Sequence, residues 1–276
     1  MSAAAFWPNG SSADAASDTR LVAVAAGFPE YVSAQDELTS HEVLRWTVQP
    51  SVALSAAFAH VEAGGIPVVV ESDVRLGARG ELAFGASADS PSSFYVSLGT
   101  GLSSVLVVES QIWAGARGEA IALGEHTIAV PGFSNLESYC SGAGIEARYS
   151  TATGRELTGA AISERAAHGD EVARSILETA GLALGEAVAN IVHVLDPHTV
   201  VLGGGLGAAD NLVTAAAKLR YALLTSHRDG APVLVHAQLD HRSALLGGAA
   251  AAWAAGIDHS RAAARPPEFL GETTHD

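Results

Sequence analysis

Three short stretches of this 276-residue chain put residue types where they could do chemistry. In "VVVESDV" the carboxylates Glu71 and Asp73 stand two positions apart at the end of a β-branched run. A strand turns both to one face. Neighbouring carboxylates raise each other's proton affinity, which suits a general base. The same residues also suit a helix start, with Ser72 or Asp73 as the N-cap of "VRLGARGE". In "FYVSLGTGLSSVLVV" two β-branched runs flank Gly99, Thr100 and Gly101. A plain hairpin turn fits this pattern. So does a phosphate nest, in which glycine supplies positive φ and close approach, successive N–H groups form a concavity and the Thr hydroxyl adds a donor. In "VLGGGLG" Gly203, Gly204 and Gly205 lie between a strand and a helix. Open α/β sheets place ligands there, and a helix N-terminus favours phosphate. Close helix–sheet packing explains the same glycines. The spacing is not Gly-x-Gly-x-x-Gly, and no acidic residue follows at the ribose-binding distance, so the dinucleotide fingerprint is not supported.

The elements that must position these stretches alternate. "RLVAVAAGFPEYV" reads as a buried strand running into a turn at Phe28-Pro29-Glu30, and "SVALSAAFAHVEAGG" as a helix closed by a Gly pair. "IPVVVESD" is a strand and "VRLGARGELAFGA" a short helix. The composition shift at "SADSPSS", residues 87–93, marks the best lobe boundary. "QIWAGARGEAIALGEH" is irregular. "NLESYCSGAGIEARYS" reads as one helix, and the stretch from Glu164 to about Val194 as another with period 3.6. The glycine turn then joins a strand to a helix, "APVLVHAQL" is a strand and "SALLGGAAAAWAAG" a small-residue helix. The class is therefore α/β. The expected division is a flexible leader over 1–18, a partial N-terminal lobe over 19–88, a C-terminal lobe with its closing helix over 89–260 and a polar tail over 261–276.

Composition removes several function classes. The residues are 48% hydrophobic and the mean hydropathy is +0.24, so a large core is easy to build. No apolar run free of polar residues and glycine approaches the ~18 residues of a membrane span. The start has no basic region and no continuous apolar stretch, so a cytoplasmic protein with no membrane partner is expected. Net charge is −15, from 15 Lys+Arg against 30 Asp+Glu, so clustered cations for a polyanion are lacking and nucleic acid is not an expected partner. The single cysteine, Cys140, can form neither an internal disulfide nor a thiolate zinc cluster.

Taken in order, these stretches resemble the ROK family (repressor, open reading frame, kinase) from about Leu21 to Trp253. "VAAGFPEYV", "VVVESDV", "SLGTGLSSVLV", "WAGARGEA", "LESYCSG", "LDPHTVVLGGGLG" and "SALLGGAAAA" match family segments one after another. The resemblance implies an actin-like ATPase (ribonuclease H-like) fold, two α/β lobes around a cleft where nucleotide and sugar meet. It implies an ATP-dependent, glucokinase-like phosphorylation of a hexose or related sugar, with ATP and Mg²⁺ as the cofactors and a homodimer as the assembly. Asp73 matches the family's catalytic base. Gly99, Thr100 and Gly101 match its phosphate loop, and Gly203, Gly204 and Gly205 its adenosine pocket. Glu71, Ser72, Asp73 and Glu137 fall on the sugar side.

Four departures accompany the match. The family's opening hairpin with Asp-x-Gly-x-Thr has no counterpart in the first 20 residues, so an N-terminally truncated chain with an incomplete N-terminal lobe is expected. The zinc segment is replaced by "AVPGFSN", so no zinc is expected. In "IALGEHT" the family's Glu and His align with Ala122 and Glu125, and His126 serves only with a one-residue shift. Ser72 replaces the Asn of the family's Glu-Asn-Asp. The alternative is a catalytically degenerate sugar-binding or regulatory member.

Overall fold

The structure is a computed structural model that describes residues 20–41, 43–61 and 65–263. The expected leader lies outside the described residues, as does most of the expected tail. Two parallel strands open the fold: Val24–Phe28 (β1) and Val68–Ser72 (β2), with Val24 opposite Val68 and Phe28 opposite Ser72. Between them Pro50–Phe58 (α1) begins on a proline, where the missing N–H has no partner to lose. Among the described residues this sheet has these two strands, and β1 is paired on one side only.

Asp73–Phe84 (α2) follows β2 directly. The second sheet has the order β5-β4-β3-β6-β7, built from Ser92–Leu98 (β3), Leu102–Val108 (β4), Gln111–Trp113 (β5), Thr199–Gly203 (β6) and Val233–His236 (β7). β3 and β4 form an antiparallel hairpin, while β3–β6 and β6–β7 are parallel. Period-two alternation splits β3 between two cores. Phe94, Val96 and Leu98 join a cluster with Leu136, Ile145, Leu184 and Val188. Tyr95 joins Val74, Ala78, Val105 and Val201, so α2 is part of the second cluster.

Two long helices of the sequence reading are each two helices. Residues 135–150 divide into Leu136–Cys140 (α3) and Gly142–Thr153 (α4), because Ser141 is extended and its hydroxyl accepts from the Gly144 N–H. The stretch from Glu164 divides into Gly159–Ala167 (α5) and Glu171–Leu195 (α6). Gly169 sits at φ +91°, and the Asp170 carboxylate caps α6 from the Val172 and Ala173 N–H groups. Helix α6 is long and apolar enough to cross a membrane by length and composition, but more than half of that stretch is buried.

After β6 come Gly204–Gly207 (α7) and Leu212–Thr225 (α8), and Ser243–Ala263 (α9) is the last described element. Helices α2 and α9 approach through glycines. A methyl on Gly80 would sit 2.1 Å from the Ser243 carbonyl oxygen, and one on Gly247 1.8 Å from that of Leu76. Backbone cannot yield as a flexible side chain can. Gly247→Ala is therefore expected to cost about 3 kcal/mol, the upper range for overpacking. Urea unfolding measures it, and a loss under about 1 kcal/mol would contradict the close contact.

Candidate active site

The C-terminal ends of β1 and β2 meet at Asp73. A methyl on Gly27 would lie 3.6 Å from Asp73 Cα. Ser72 is the N-cap of α2, its hydroxyl accepting from the Arg75 N–H at 3.3 Å. Asp73 is thus the first helical residue, and its Oδ1 accepts from the Val74 N–H at 2.7 Å. Its outer side is exposed, yet burial of the rest pushes the carboxyl above the usual Asp range, partly offset by backbone N–H groups. The N-terminal end of α2 favours the charged form.

The expected pairing of Glu71 with Asp73 is not observed. The strand ends at Ser72, so period two no longer holds at Asp73. Glu71 turns instead to Arg75, with Oε1 2.8 Å from Nη1, and accepts from the Ser72 N–H at 2.9 Å. Burial raises its proton affinity, Arg75 and the Ser72 N–H lower it, and Asp73 is not among the charges that act on it. Arg75 is buried and its Nη2 donates to the carbonyls of Val32 and Gly118, both at 2.6 Å. The Glu71–Arg75 pair is therefore a strut that ties the loop after β1 and the loop after β5 to the start of α2.

The two glycine turns come together. A methyl on Gly99 would lie 3.9 Å from the Gly205 nitrogen, and one on Gly205 would meet no protein atom within 4 Å. The first turn closes the β3–β4 hairpin, with Leu98 opposite Leu102, and its carbonyls are approached by protein backbone. The Gly142 and Ala143 N–H groups, at the start of α4, donate to the carbonyls of Gly99 and Thr100 at 2.8 and 3.1 Å. Positive φ is not the reason for these glycines: neither Gly99 nor Gly101 has it, whereas Gly204 does, at +77°. The nest is also narrower than expected. Gly99 N–H donates to Gly101 O, and Leu102 N–H to Glu137 Oε2 at 2.7 Å. The Thr100 and Gly101 N–H groups and the exposed Thr100 hydroxyl are the donors the turn offers. Gly203 lies buried at the end of β6.

Glu137 stands on α3, whose N-cap Asn135 accepts from the Ser138 N–H. Its carboxylate would lie 2.8 Å from a methyl on Gly101, so a side chain there would push the Glu137 carboxylate aside. Glu125 and His126 end the short 3-10 turn Leu123–Glu125, and both are exposed. Glu125 Oε2 accepts from Asn135 Nδ2 at 3.3 Å, and the Leu136 N–H donates to His126 O. This turn and α3 thus form one wall beside the Gly99–Gly101 loop. Cys140 is fully buried in the core, and burial pushes its thiol up to about 12.

Sequence reasoning missed Arg75, Tyr95 and Glu81. The signal for Arg75 was present: an arginine on the apolar face of a short helix in a chain poor in cations. Tyr95 carried a weaker one, sharing the period-two face of Ser97 and Gly99.

Comparison with known proteins follows from this geometry. The ROK family profile matches residues 11–255. The bifunctional enzyme NanE/NanK of Brucella melitensis is 34% identical over 184 residues, covering 66% of this chain and 35% of that enzyme. The N-acetyl-D-glucosamine kinase of Pasteurella multocida is 31% identical over 172 residues, 56% of this chain and 57% of that one. The chain thus spans about a third to a little over half of these relatives' length. A ROK family glucokinase from Streptomyces griseus, solved with glucose and AMPPNP, superposes with a TM-score of 0.71 over 86% of this chain and 82% of that one, at 24% identity. That likeness establishes the fold expected from the sequence, the actin-like ATPase fold.

Proposed function

The chain belongs to the ROK family, and we propose that it is an ATP-dependent kinase of a hexose or related sugar. The observation that carries this reading is Asp73, with its raised proton affinity, at the mouth of β2, and two facing glycine turns at the ends of β3 and β6, linked through Tyr95, whose phenol meets Gly203 and feels the Asp73 charge. One relative is by name an N-acetyl-D-glucosamine kinase, and the superposed glucokinase holds a sugar and an ATP analogue.

In this mechanism ATP and sugar are the substrates. Asp73 takes the proton of the attacking sugar hydroxyl as the new O–P bond forms to the γ-phosphoryl group and the bond to the β-phosphate oxygen breaks, releasing ADP. The N–H groups of Thr100 and Gly101 face the phosphates, and the Gly203–Gly205 turn supports the nucleoside. Glu137, Glu125 and His126 bind sugar hydroxyls from the α3 wall, and Ser72 lies beside the base. Magnesium would arrive on the phosphates and supply charge neutralisation. Among the described residues no three His, Cys, Asp or Glu side chains gather as a metal cluster, which fits an ion held largely by phosphate and water.

The pH dependence has a defined sign. Asp73 must be unprotonated to act, and its pKa lies above the ordinary 3.8. The acid limb of kcat/KM should therefore fall above 3.8, with rate rising through it. The folded state also holds this proton more tightly than the unfolded chain, so the group's contribution to stability declines as pH rises from 3.8 through the folded value. A pH–rate profile locates the limb, and one still flat at pH 4 would contradict the burial of Asp73.

A second reading is favoured by the first sheet. Among the described residues β1 pairs only with β2. A sugar-binding protein without phosphotransfer fits that arrangement. Coupled ADP release over a panel of glucose, mannose, N-acetylglucosamine and N-acetylmannosamine separates the readings. Turnover on any of them supports the kinase. Calorimetric sugar binding without turnover supports the second reading and sinks the first.

A further inference from the structure

We propose that Tyr95 is a positioning residue for the nucleotide, its phenol oxygen locking the Gly203–Gly205 turn to the helix that carries Asp73. The proposal rests on the kinase reading. Tyr95 is buried at 4% exposure, on the opposite face of β3 from Phe94, Val96 and Leu98. A methyl on Gly203 would fall 2.3 Å from its Oη, and one on Gly77 3.0 Å from it. The phenol oxygen therefore occupies the space that side chains would need at two places: the end of β6 and a point on α2 one turn beyond Asp73.

The same oxygen lies near the Gly204 N–H and the Ser97 hydroxyl, which lower its proton affinity. Burial first, with the charges of Glu81 and Asp73 adding, pushes ionisation up to about 12, so the group is a neutral phenol across the working range. Gly204, at φ +77°, is pressed from the other side, since a methyl there would lie 2.4 Å from the Leu98 carbonyl oxygen. The turn is thus held between Tyr95 and Leu98, both on the strand that leads into Gly99. That grip sets the Gly205 nitrogen against Gly99. Tyr95 is thus the contact through which the nucleotide turn and the Asp73 helix keep register.

Calorimetry with the non-hydrolysable analogue AMPPNP plus Mg²⁺, on the full chain, tests this. Tyr95→Phe keeps the ring and removes Oη, which opens a gap against Gly203 and Gly77. We expect AMPPNP affinity to fall about tenfold, with sugar affinity within about twofold of wild type. Gly77→Ala presses on the phenol from α2 and should weaken AMPPNP several-fold, although Gly77 is not on the turn; it decides the matter if Tyr95→Phe does not fold. Wild-type binding that both variants retain overturns the proposal alone. Equal losses for sugar and nucleotide reduce Tyr95 to a packing residue and also overturn it. Wild-type protein that binds no AMPPNP removes the kinase reading and this inference with it.

Discussion

Asp73→Asn is expected to lower kcat by roughly 10²–10⁴-fold, the usual worth of a general base, with sugar and nucleotide affinities nearly unchanged. The substitution is close to isosteric. An amide oxygen can still accept from the Val74 N–H as Oδ1 does at 2.7 Å, and the N-cap is Ser72, which is untouched. Helix α2 therefore keeps its start. What is lost is the ability to take a proton, because an amide oxygen is far less basic than a carboxylate. Steady-state kinetics paired with calorimetry measures both halves. Turnover near wild type would remove Asp73 from the base role, and a matching collapse of sugar affinity would make it a binding residue.

Glu81→Ala is expected to cost about 4 kcal/mol and to lower Tm by roughly 10 °C, on the scaling for a chain of this size. Glu81 is fully buried and both oxygens are used twice. Oε1 accepts from the Leu239 N–H at 3.0 Å and from the Ser243 hydroxyl at 2.8 Å. Oε2 accepts from the Ala86 N–H at 2.8 Å and from the Gln238 N–H at 3.0 Å. One carboxylate thus fastens the end of α2, the segment after β7 and the first residue of α9. Truncation removes the acceptor of three part-buried backbone donors, while the Ser243 hydroxyl keeps the Asp240 carbonyl at 2.9 Å. Relaxation and entry of water keep the loss below three full desolvation penalties. Glu81→Gln should lie between, since its NH₂ group would face donors. Calorimetric unfolding of both variants checks the order, and a loss below about 1 kcal/mol for Glu81→Ala would contradict the network.

The sequence was legible where local pattern and tertiary demand agreed. The alternation of β3 and the β-branched runs of β2 and β6 gave the strands, and seven motifs in order gave the family. It misled where two causes share one residue choice. Gly99 and Gly101 were read for positive φ, which neither has; a methyl on Gly101 would press on the Glu137 carboxylate, while one on Gly99 would meet only the Gly205 nitrogen, at 3.9 Å. The apolar period ran unbroken across α5 and α6, so the break at residues 168–170 was overridden, though Gly169 and the capping Asp170 were visible there. Glu71 was assigned to Asp73 because the strand was carried one residue too far. Glu81 was out of reach: its partner Ser243 is 162 residues away, and no local spacing reports such a contact. Of the candidate site, the glycine turns and Asp73 could be placed from sequence; the struts that hold them, Arg75, Tyr95 and Glu81, could not.

The central claim is that Asp73 and the two glycine turns form one site for phosphoryl transfer from ATP to a sugar. ³¹P NMR of wild type and Asp73→Asn, each with ATP, Mg²⁺ and the hexose panel, follows that transfer atom by atom. The account predicts a growing phosphomonoester signal as the γ-phosphate signal declines in wild type, and neither change with Asp73→Asn. Intact ATP with every sugar in wild type, or the same rate in both proteins, would contradict it.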